Sequence, residues 1–257
     1  MHRLVMWSGN YSFVLSNLVM KDFKVRYRNM SLGVLWSMLN PLVMMGVLTF
    51  IFTKVFPNPS IPNFPLYVLC GLVAFNFFSI AWVTATTSLV DNANLVKRVA
   101  VPRQLLPIAA VFSNCIHLIV QIVLLLTLVV AFGRGVNIHW LWLPVIWSLE
   151  VVFVCGLGLM FSAMDVYVRD MRYVVESCNT ILFWLVPIFY FVVPERFYGL
   201  YQYNPVTALV IASRYILLDG KAPPNTLLYK LMLVSFLMLV LGVLVFGKLK
   251  KRLYDHL

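Results

Sequence analysis

The chain has 257 residues, of which 62% are hydrophobic and only 11% charged, with a mean hydropathy of +0.90, where soluble domains carry about 25% charged residues. That composition excludes an ordinary water-soluble enzyme or binding module, because a fold of this size cannot hide so much apolar surface from water. The net charge of +11 does not signal nucleic acid: Lys and Arg gather in short segments between long apolar runs and leave no continuous basic face.

In chain order, the N-terminus offers no cleavable signal, since the run before Lys21 is broken by Ser8, Gly9, Asn10 and Ser12 and lacks a small-residue cleavage site. The first spanning helix is therefore expected to direct insertion. Before it, residues 12–31 read as an amphipathic helix at the membrane surface. Val19, Phe23, Tyr27 and Met30 form its apolar stripe, and Lys21, Lys24 and Arg28 lie opposite, facing anionic lipid headgroups. Arg26 falls near the apolar stripe and must snorkel or find a partner. The alternative is a basic flank that only fixes topology.

Charge-free runs predict six spans, at residues 34–53, 66–90, 105–132, 138–164, 174–193 and 227–246, because a helix needs about 20 apolar residues to cross the hydrocarbon. The fold class is thus an all-α membrane protein in one domain, without internal repeats. Alternating connections hold most of the basic residues: Arg3 through Arg28, then Lys97, Arg98 and Arg103, then Arg169 and Arg172, then Lys248 through Arg252. This bias puts those connections and both termini in the cytoplasm. The proline-rich connection 57–65 reads as stiff extended loop.

The cytoplasmic connection NLVKRVAVPRQLLP, residues 94–107, predicts a short helix carrying Lys97 and Arg98 that stops before Pro102, with Arg103 beyond. It is either a docking element for a soluble partner or an ordinary basic loop. In the third span Asn114, His117 and Gln121 share one helical face, which suits hydrogen bonding between helices. Glu150 sits in the middle of the fourth span, where a charge is expensive, and Gly156 and Gly158 fit close helix packing rather than a nucleotide loop. Cys70, Cys115, Cys155 and Cys178 lie singly, with neither metal-ligand nor disulfide spacing.

After the fifth span, residues 194–219 are apolar but too broken to cross, with a turn predicted at Asn204-Pro205. Re-entrant or interfacial helices at the outer face fit this segment. Phe189, Tyr190, Tyr198, Tyr201 and Tyr203 place aromatic rings there, either as interface anchors or as faces on which sugar rings stack. There is no phosphate-binding loop, zincin motif or nucleophile elbow, so no catalytic residue and no cofactor is expected on this chain.

Residues 21–45 (KDFKVRYRNMSLGVLWSMLNPLVMM), the 94–107 connection and residues 203–220 (YNPVTALVIASRYILLDG) together resemble the ABC-exporter permeases that move polysaccharides, over essentially the whole chain. The first motif, D-x-K-x-R-Y-R followed by LG-x-LW-x-x-x-x-P, is similar to exporters of O-antigen, capsule and teichoic acid without choosing among them. The resemblance implies a channel-forming subunit of the bacterial inner membrane, paired with a second copy of itself and with two copies of an ATPase that carries ATP and Mg. It implies that Lys21, Lys24, Arg26, Arg28, Lys97, Arg98, Pro102 and Arg103 couple to that ATPase. Trp36, Phe189, Tyr190, Tyr198, Tyr201 and Tyr203 become candidates for the path or gate of a lipid-linked polysaccharide, and residues 194–219 for external gate helices. It assigns no role to His117, Gln121 or Glu150.

Two other classes compete. An intramembrane transferase acting on a lipid-linked glycan needs a polar catalytic cluster, for which only Glu150, Asp165, Asp170 and Glu176 are at hand. An ion-coupled carrier needs related halves and charged midplane sites, of which Glu150 alone qualifies.

Overall fold

The computed structural model describes residues 10–28, 30–57, 61–98, 101–190, 201 and 203–250, and among them every regular element is helical. Helix α1, Tyr11–Tyr27, starts where the Asn10 side chain accepts hydrogen bonds from the backbone of Ser12 and Phe13, the usual work of an Asn N-cap. The described residues from Arg28 to Leu32 are non-helical. At Gly33, with φ +50, the chain enters a single tight turn that leads into α2, Trp36–Phe50, which runs on as one π-turn, Ile51–Val55.

Pro41 lies inside α2. Having no N–H, it leaves the carbonyl of Ser37, four residues earlier, without its helical donor. Helix α3, Phe64–Asp91, follows a left-handed Asn63 and carries Pro65 in its first turn, where a missing donor costs nothing. Beyond it come the short α4, Ala93–Arg98, and the long α5, Leu105–Ala131. A capped turn at Ile138–Trp142 leads into α6, Leu143–Tyr167. The chain continues as α7, Met171–Leu185, α8, Pro205–Leu217, and α9, Asn225–Leu249.

Five helical runs are long and apolar enough to cross a membrane: Gly33–Val55, Phe64–Asp91, Leu105–Ala131, Ile138–Tyr167 and Asn225–Leu249. They coincide within a few residues with the first, second, third, fourth and sixth expected spans. The fifth expected span, 174–193, is not one helix. Helix α7 stops after 15 residues, and Val186 turns extended (ψ 132) ahead of Pro187, as a residue preceding proline prefers. The rest of that run beyond Tyr190 lies outside the described residues.

Helix α3 is the centre of the bundle, packed on α5, α6, α7 and α8, and Leu66, Leu69, Leu72, Phe78 and Leu89 along it are fully buried. Helices α6 and α9 pack most extensively of all. A Cβ at Gly156 would stand 2.6 Å from the Leu239 backbone nitrogen, and one at Gly242 would stand 2.2 Å from the Gly156 carbonyl oxygen. Gly158 in turn lets α6 approach α3, since a Cβ there would meet Ala85 at 2.7 Å. These glycines bring helix backbones into close approach, as their spacing suggests.

The basic segments share one end of the bundle. Lys21 on α1 donates to Asn92 between α3 and α4, Arg103 donates to the Lys250 carbonyl at 3.2 Å, and Tyr167 donates to the Leu249 carbonyl at 2.7 Å. Beneath them Leu18, Leu89, Leu106, Leu159, Ala163 and Phe246 form a separate apolar cluster. At the opposite end Arg134 donates to the Leu218 carbonyl at 2.7 Å and Asn137 to the Ile216 carbonyl at 3.4 Å, which ties α8 to the turns after α5.

Candidate functional site

At the basic end the four α1 cations divide. Lys24 and Arg28 are exposed, Lys21 meets Asn92 and, at 3.5 Å, Asp22, while Arg26 turns into the bundle. Burial pushes the Asp22 carboxyl up from its usual value even with Lys21 beside it. Helix α1 buries Leu18 and partly buries Val19, Phe23 and Tyr27 of the expected stripe, while Met30 is exposed. Arg26, expected near that stripe and in need of a partner, turns its guanidinium to polar partners on α5.

Those partners are Asn114 and His117. Arg26 Nη1 donates to Asn114 Oδ1 and lies 2.9 Å from His117 Nε2. Tyr27 Oη lies 2.7 Å and 2.8 Å from the two His117 ring nitrogens, with the rings 5.2 Å apart. Asn114 Nδ2 donates onward to Thr84 Oγ1 on α3 at 2.8 Å and to the Ala110 carbonyl at 2.7 Å. Burial lowers the Arg26 pKa from its usual value, and no carboxylate is bonded to its guanidinium.

One turn further along α5, Gln121 Nε2 donates to the Ser37 carbonyl at 3.1 Å. That carbonyl is the one Pro41 orphans, so Gln121 repairs a gap in α2. The shared face of Asn114, His117 and Gln121 thus reaches α1, α2 and α3, with Gln121 Oε1 buried without a hydrogen-bond partner among the described residues. Lys97 lies exposed on α4, Pro102 and Arg103 are half-buried just before α5, and Arg98 ends α4.

At the opposite end the sequence reading missed Arg214. Buried on α8, its guanidinium donates to the Pro187 carbonyl at 2.7 Å, the Ile188 carbonyl at 2.9 Å and the Tyr67 carbonyl at 3.1 Å, and its Cζ sits 3.4 Å from the Tyr67 ring centroid. Burial lowers its pKa from the usual value, with Tyr67 acting the other way. Arg214 therefore clamps α8 to the first turns of α3 and to the broken chain after α7. Tyr190 adds to this clamp: its hydroxyl donates to the Leu185 carbonyl at 2.7 Å, capping the frayed end of α7. No pattern in the sequence marks Arg214, because an apolar helix with one cation reads as a surface anchor.

The aromatic candidates scatter. Phe189 is buried, stacked on Phe52 at 5.3 Å and set edge-on to Trp184 at 5.4 Å, inside the chain rather than on an open face. Trp36 is exposed on the first turn of α2. Tyr203 is exposed before α8, with Lys230 over its ring at 4.7 Å, and Tyr201 is partly buried. Tyr198 lies outside the described residues.

Helix α7 has the most strongly divided faces. Val175 and Asn179 are buried, whereas Tyr173, Ser177, Thr180 and Trp184 are exposed along one side, Tyr173 and Trp184 at 65% and 64%, flanked by exposed Val174, Ile181 and Leu185 and by Arg172 at the start of the helix. Arg172 and Glu176 pair on that face at 2.9 Å. The sequence held this signal at positions 173, 177, 180 and 184, a helical spacing hidden by counting only hydropathy.

Glu150 is buried on α6 and neither carboxyl oxygen has a hydrogen-bond partner among the described residues. Asp165 stands fifteen residues further along the same helix, roughly 22 Å away at the α-helical rise, and Glu176 is engaged by Arg172. The four carboxylates needed by a transferase are therefore not brought together.

Similarity to known proteins runs the length of this fold. Residues 14–218 match the ABC-2 type transporter family. The chain is 30% identical over 243 residues to the O-antigen export system permease protein RfbA of Myxococcus xanthus, covering 93% of each. It is 29% identical over 242 residues to the protein of that name from Klebsiella pneumoniae, covering 92% of each. It is 24% identical over 233 residues to the polysialic acid transport protein KpsM of Escherichia coli, covering 88% of this chain and 89% of that one. The chain belongs to the ABC-2 type transporter family of multi-pass membrane proteins.

Proposed function

We propose that this chain is the membrane-spanning permease of an ATP-driven exporter for a lipid-linked polysaccharide, with O-antigen the first candidate and capsule or teichoic acid the others. The observation that carries the reading is the exposed face of α7. Arg172, Tyr173, Ser177, Thr180 and Trp184 lie uncovered by the chain's own bundle, and polar groups at membrane depth are costly against lipid. Facing a second copy across a wet path removes that cost, and flat aromatic rings beside hydroxyls suit a passing glycan. Trp36 and Asn40 are exposed on α2 and extend the same kind of surface. The names of the RfbA and KpsM relatives support the substrate class.

In this reading the chain crosses the bacterial inner membrane six times with both termini in the cytoplasm. The sixth crossing is α7 with its continuation: α7 begins beside the end of α6, and Ile188 reaches Arg214 and the first turns of α3. Two permeases and two ATPases assemble, and ATP and Mg are held by the ATPases. Lys24, Arg28, Lys97, Arg98, Pro102 and Arg103 lie on the side that meets them, where basic residues also hold anionic lipids. Helix α8 is the described part of the outer gate, packed among α3, α6 and α9 and fastened by Arg214. Closure of the ATPase dimer opens a path between the permeases, and the glycan threads outward.

The test is co-expression with the ATPase encoded beside it in a host strain lacking the permease. Co-purification of the two proteins and restoration of the host's surface polysaccharide are the expected results. A chain that inserts and binds the ATPase but restores no surface glycan refutes the proposal.

A further inference from the structure

The polar contacts between α1 and the bundle form a continuous knot. Arg26 and Tyr27 on α1 reach Asn114 and His117 on α5; Asn114 reaches Thr84 on α3; and Gln121 on α5 reaches Ser37 on α2. Helices α1, α5 and α3 are thus joined through side chains, and two turns beyond Asn114 the Gln121 side chain ties α5 to the backbone of α2. By contrast the described residues from Arg28 to Leu32, in the peptide connection from α1 to α2, are non-helical, and Gly33 takes φ +50 with no atom within 4 Å of where a Cβ would stand.

We propose that this knot, not the peptide link, is the joint through which movement of α1 reaches the spanning helices, with Arg26, Tyr27, Asn114 and His117 as its positioning residues. The inference rests on the permease reading for its purpose but not for its geometry. A push on α1 transmitted along a backbone with a left-handed glycine is absorbed by rotation of its dihedrals. A push transmitted from Arg26 to Asn114 is not, because Asn114 is itself fixed by both Thr84 and Ala110.

The choice of residue sharpens the point. Lys24 and Arg28, two residues to either side, stay exposed, whereas Arg26 is drawn among neutral partners. Burying a guanidinium without a carboxylate adds little stability. What its planar, multiply bonded head supplies is a fixed orientation between α1 and α5. Helix α1 correspondingly packs on α5 as its main neighbour.

The experiment compares two kinds of change in the full complex of permease and ATPase. One breaks the knot: Asn114→Leu and His117→Phe, which leave α1 unaltered, and Tyr27→Phe on α1 as the mildest variant. The other inserts two glycines between Ser31 and Leu32, loosening the link and sparing the knot. Readouts are phosphate release by the purified complex, the host's own surface polysaccharide by periodate and silver staining, and hydrogen exchange of the α1 amides. Knot variants are expected to bind the ATPase, to lose about tenfold in polysaccharide exported per ATP, and to exchange faster along α1. The glycine insertion is expected to export within about twofold of wild type.

Normal export in the knot variants together with loss on glycine insertion overturns the proposal. So does unchanged α1 exchange in His117→Phe, a readout that does not depend on transport. If knot variants fail to insert, Tyr27→Phe, which removes one oxygen, decides by the same ratio. If wild type itself exports nothing, the permease reading fails while α1 exchange still tests the joint.

Discussion

Replacing Gly156 by alanine forces α6 and α9 apart, and the size of the effect follows from the structure. The added methyl would stand 2.6 Å from the Leu239 nitrogen and from the Met238 carbonyl group, where unstrained contacts between heavy atoms need about 3.5 Å. The neighbours are backbone, so neither can rotate aside. The two helices must separate by roughly 1 Å or tilt, and they form the most extensive helix pair in the bundle. Overpacking of this kind costs about 1–3 kcal/mol, which for a chain of this length lowers the midpoint by about 2–12 °C. Gly242→Ala, which meets the Gly156 carbonyl oxygen at 2.2 Å, should do at least as much. The assay is a thermal series in detergent read by size-exclusion chromatography of a fluorescent fusion. Gly46→Ala on α2, with open space around it, is the control and should hold or slightly raise the midpoint, since alanine favours helix by about 1 kcal/mol. A Gly156→Ala variant that melts with wild type refutes the close-packed interface.

Other expectations follow from the same contacts. Gln121→Leu leaves the Ser37 carbonyl without a donor and should cost about 1–3 kcal/mol; adding Pro41→Ala, which restores the helical N–H, should recover most of it in a double-mutant melt, and an additive double mutant would refute the repair. Arg214→Gln loses the fork to the Tyr67, Pro187 and Ile188 carbonyls and should lower the midpoint by more than Lys230→Gln, measured in the same assay. Thr180→Leu with Ser177→Leu should leave insertion and assembly unchanged but cut surface polysaccharide per permease several-fold; normal export would remove α7 from the path. Glu150→Leu should melt no lower than wild type, because it replaces a buried carboxyl without a hydrogen-bond partner by an apolar group, and a marked loss of export in Glu150→Gln would instead give that carboxyl a working role.

Hydropathy locates helices here because the bilayer leaves backbone groups no partner but each other, so the runs at 33–55, 64–91, 105–131, 138–167 and 225–249 could be read almost to the residue. It overextends the fifth run because Pro187 breaks the helix without breaking the apolar composition: Val186, Ile188 and Phe189 stay buried where the chain turns. Aromatic residues were the least legible part of the site. Phe189 and Trp184 are five residues apart and chemically alike, yet one is packed inside and the other exposed, and the turn at Pro187 decides which.

The polar residues of this chain separate by whether the fold has answered them. Gln121 fills the carbonyl that Pro41 vacates, Arg214 gathers the carbonyls left by the break after α7, and Arg26 meets Asn114 and His117. Each is an internal repair or joint. Spacing marks Asn114, His117 and Gln121 as a face suited to hydrogen bonding between helices and Arg26 as needing a partner, but not which residue answers, because each partner lies dozens of residues away. On α7 the Thr180 hydroxyl donates to the Glu176 carbonyl at 3.0 Å, while Tyr173, Ser177 and Trp184 beside it are exposed. In the six-span arrangement proposed above, that face is required to meet water, substrate or a second copy rather than lipid alone, because polar groups are costly against lipid. That requirement, more than the count of spans, makes an exporter's path the reading that accounts for α7.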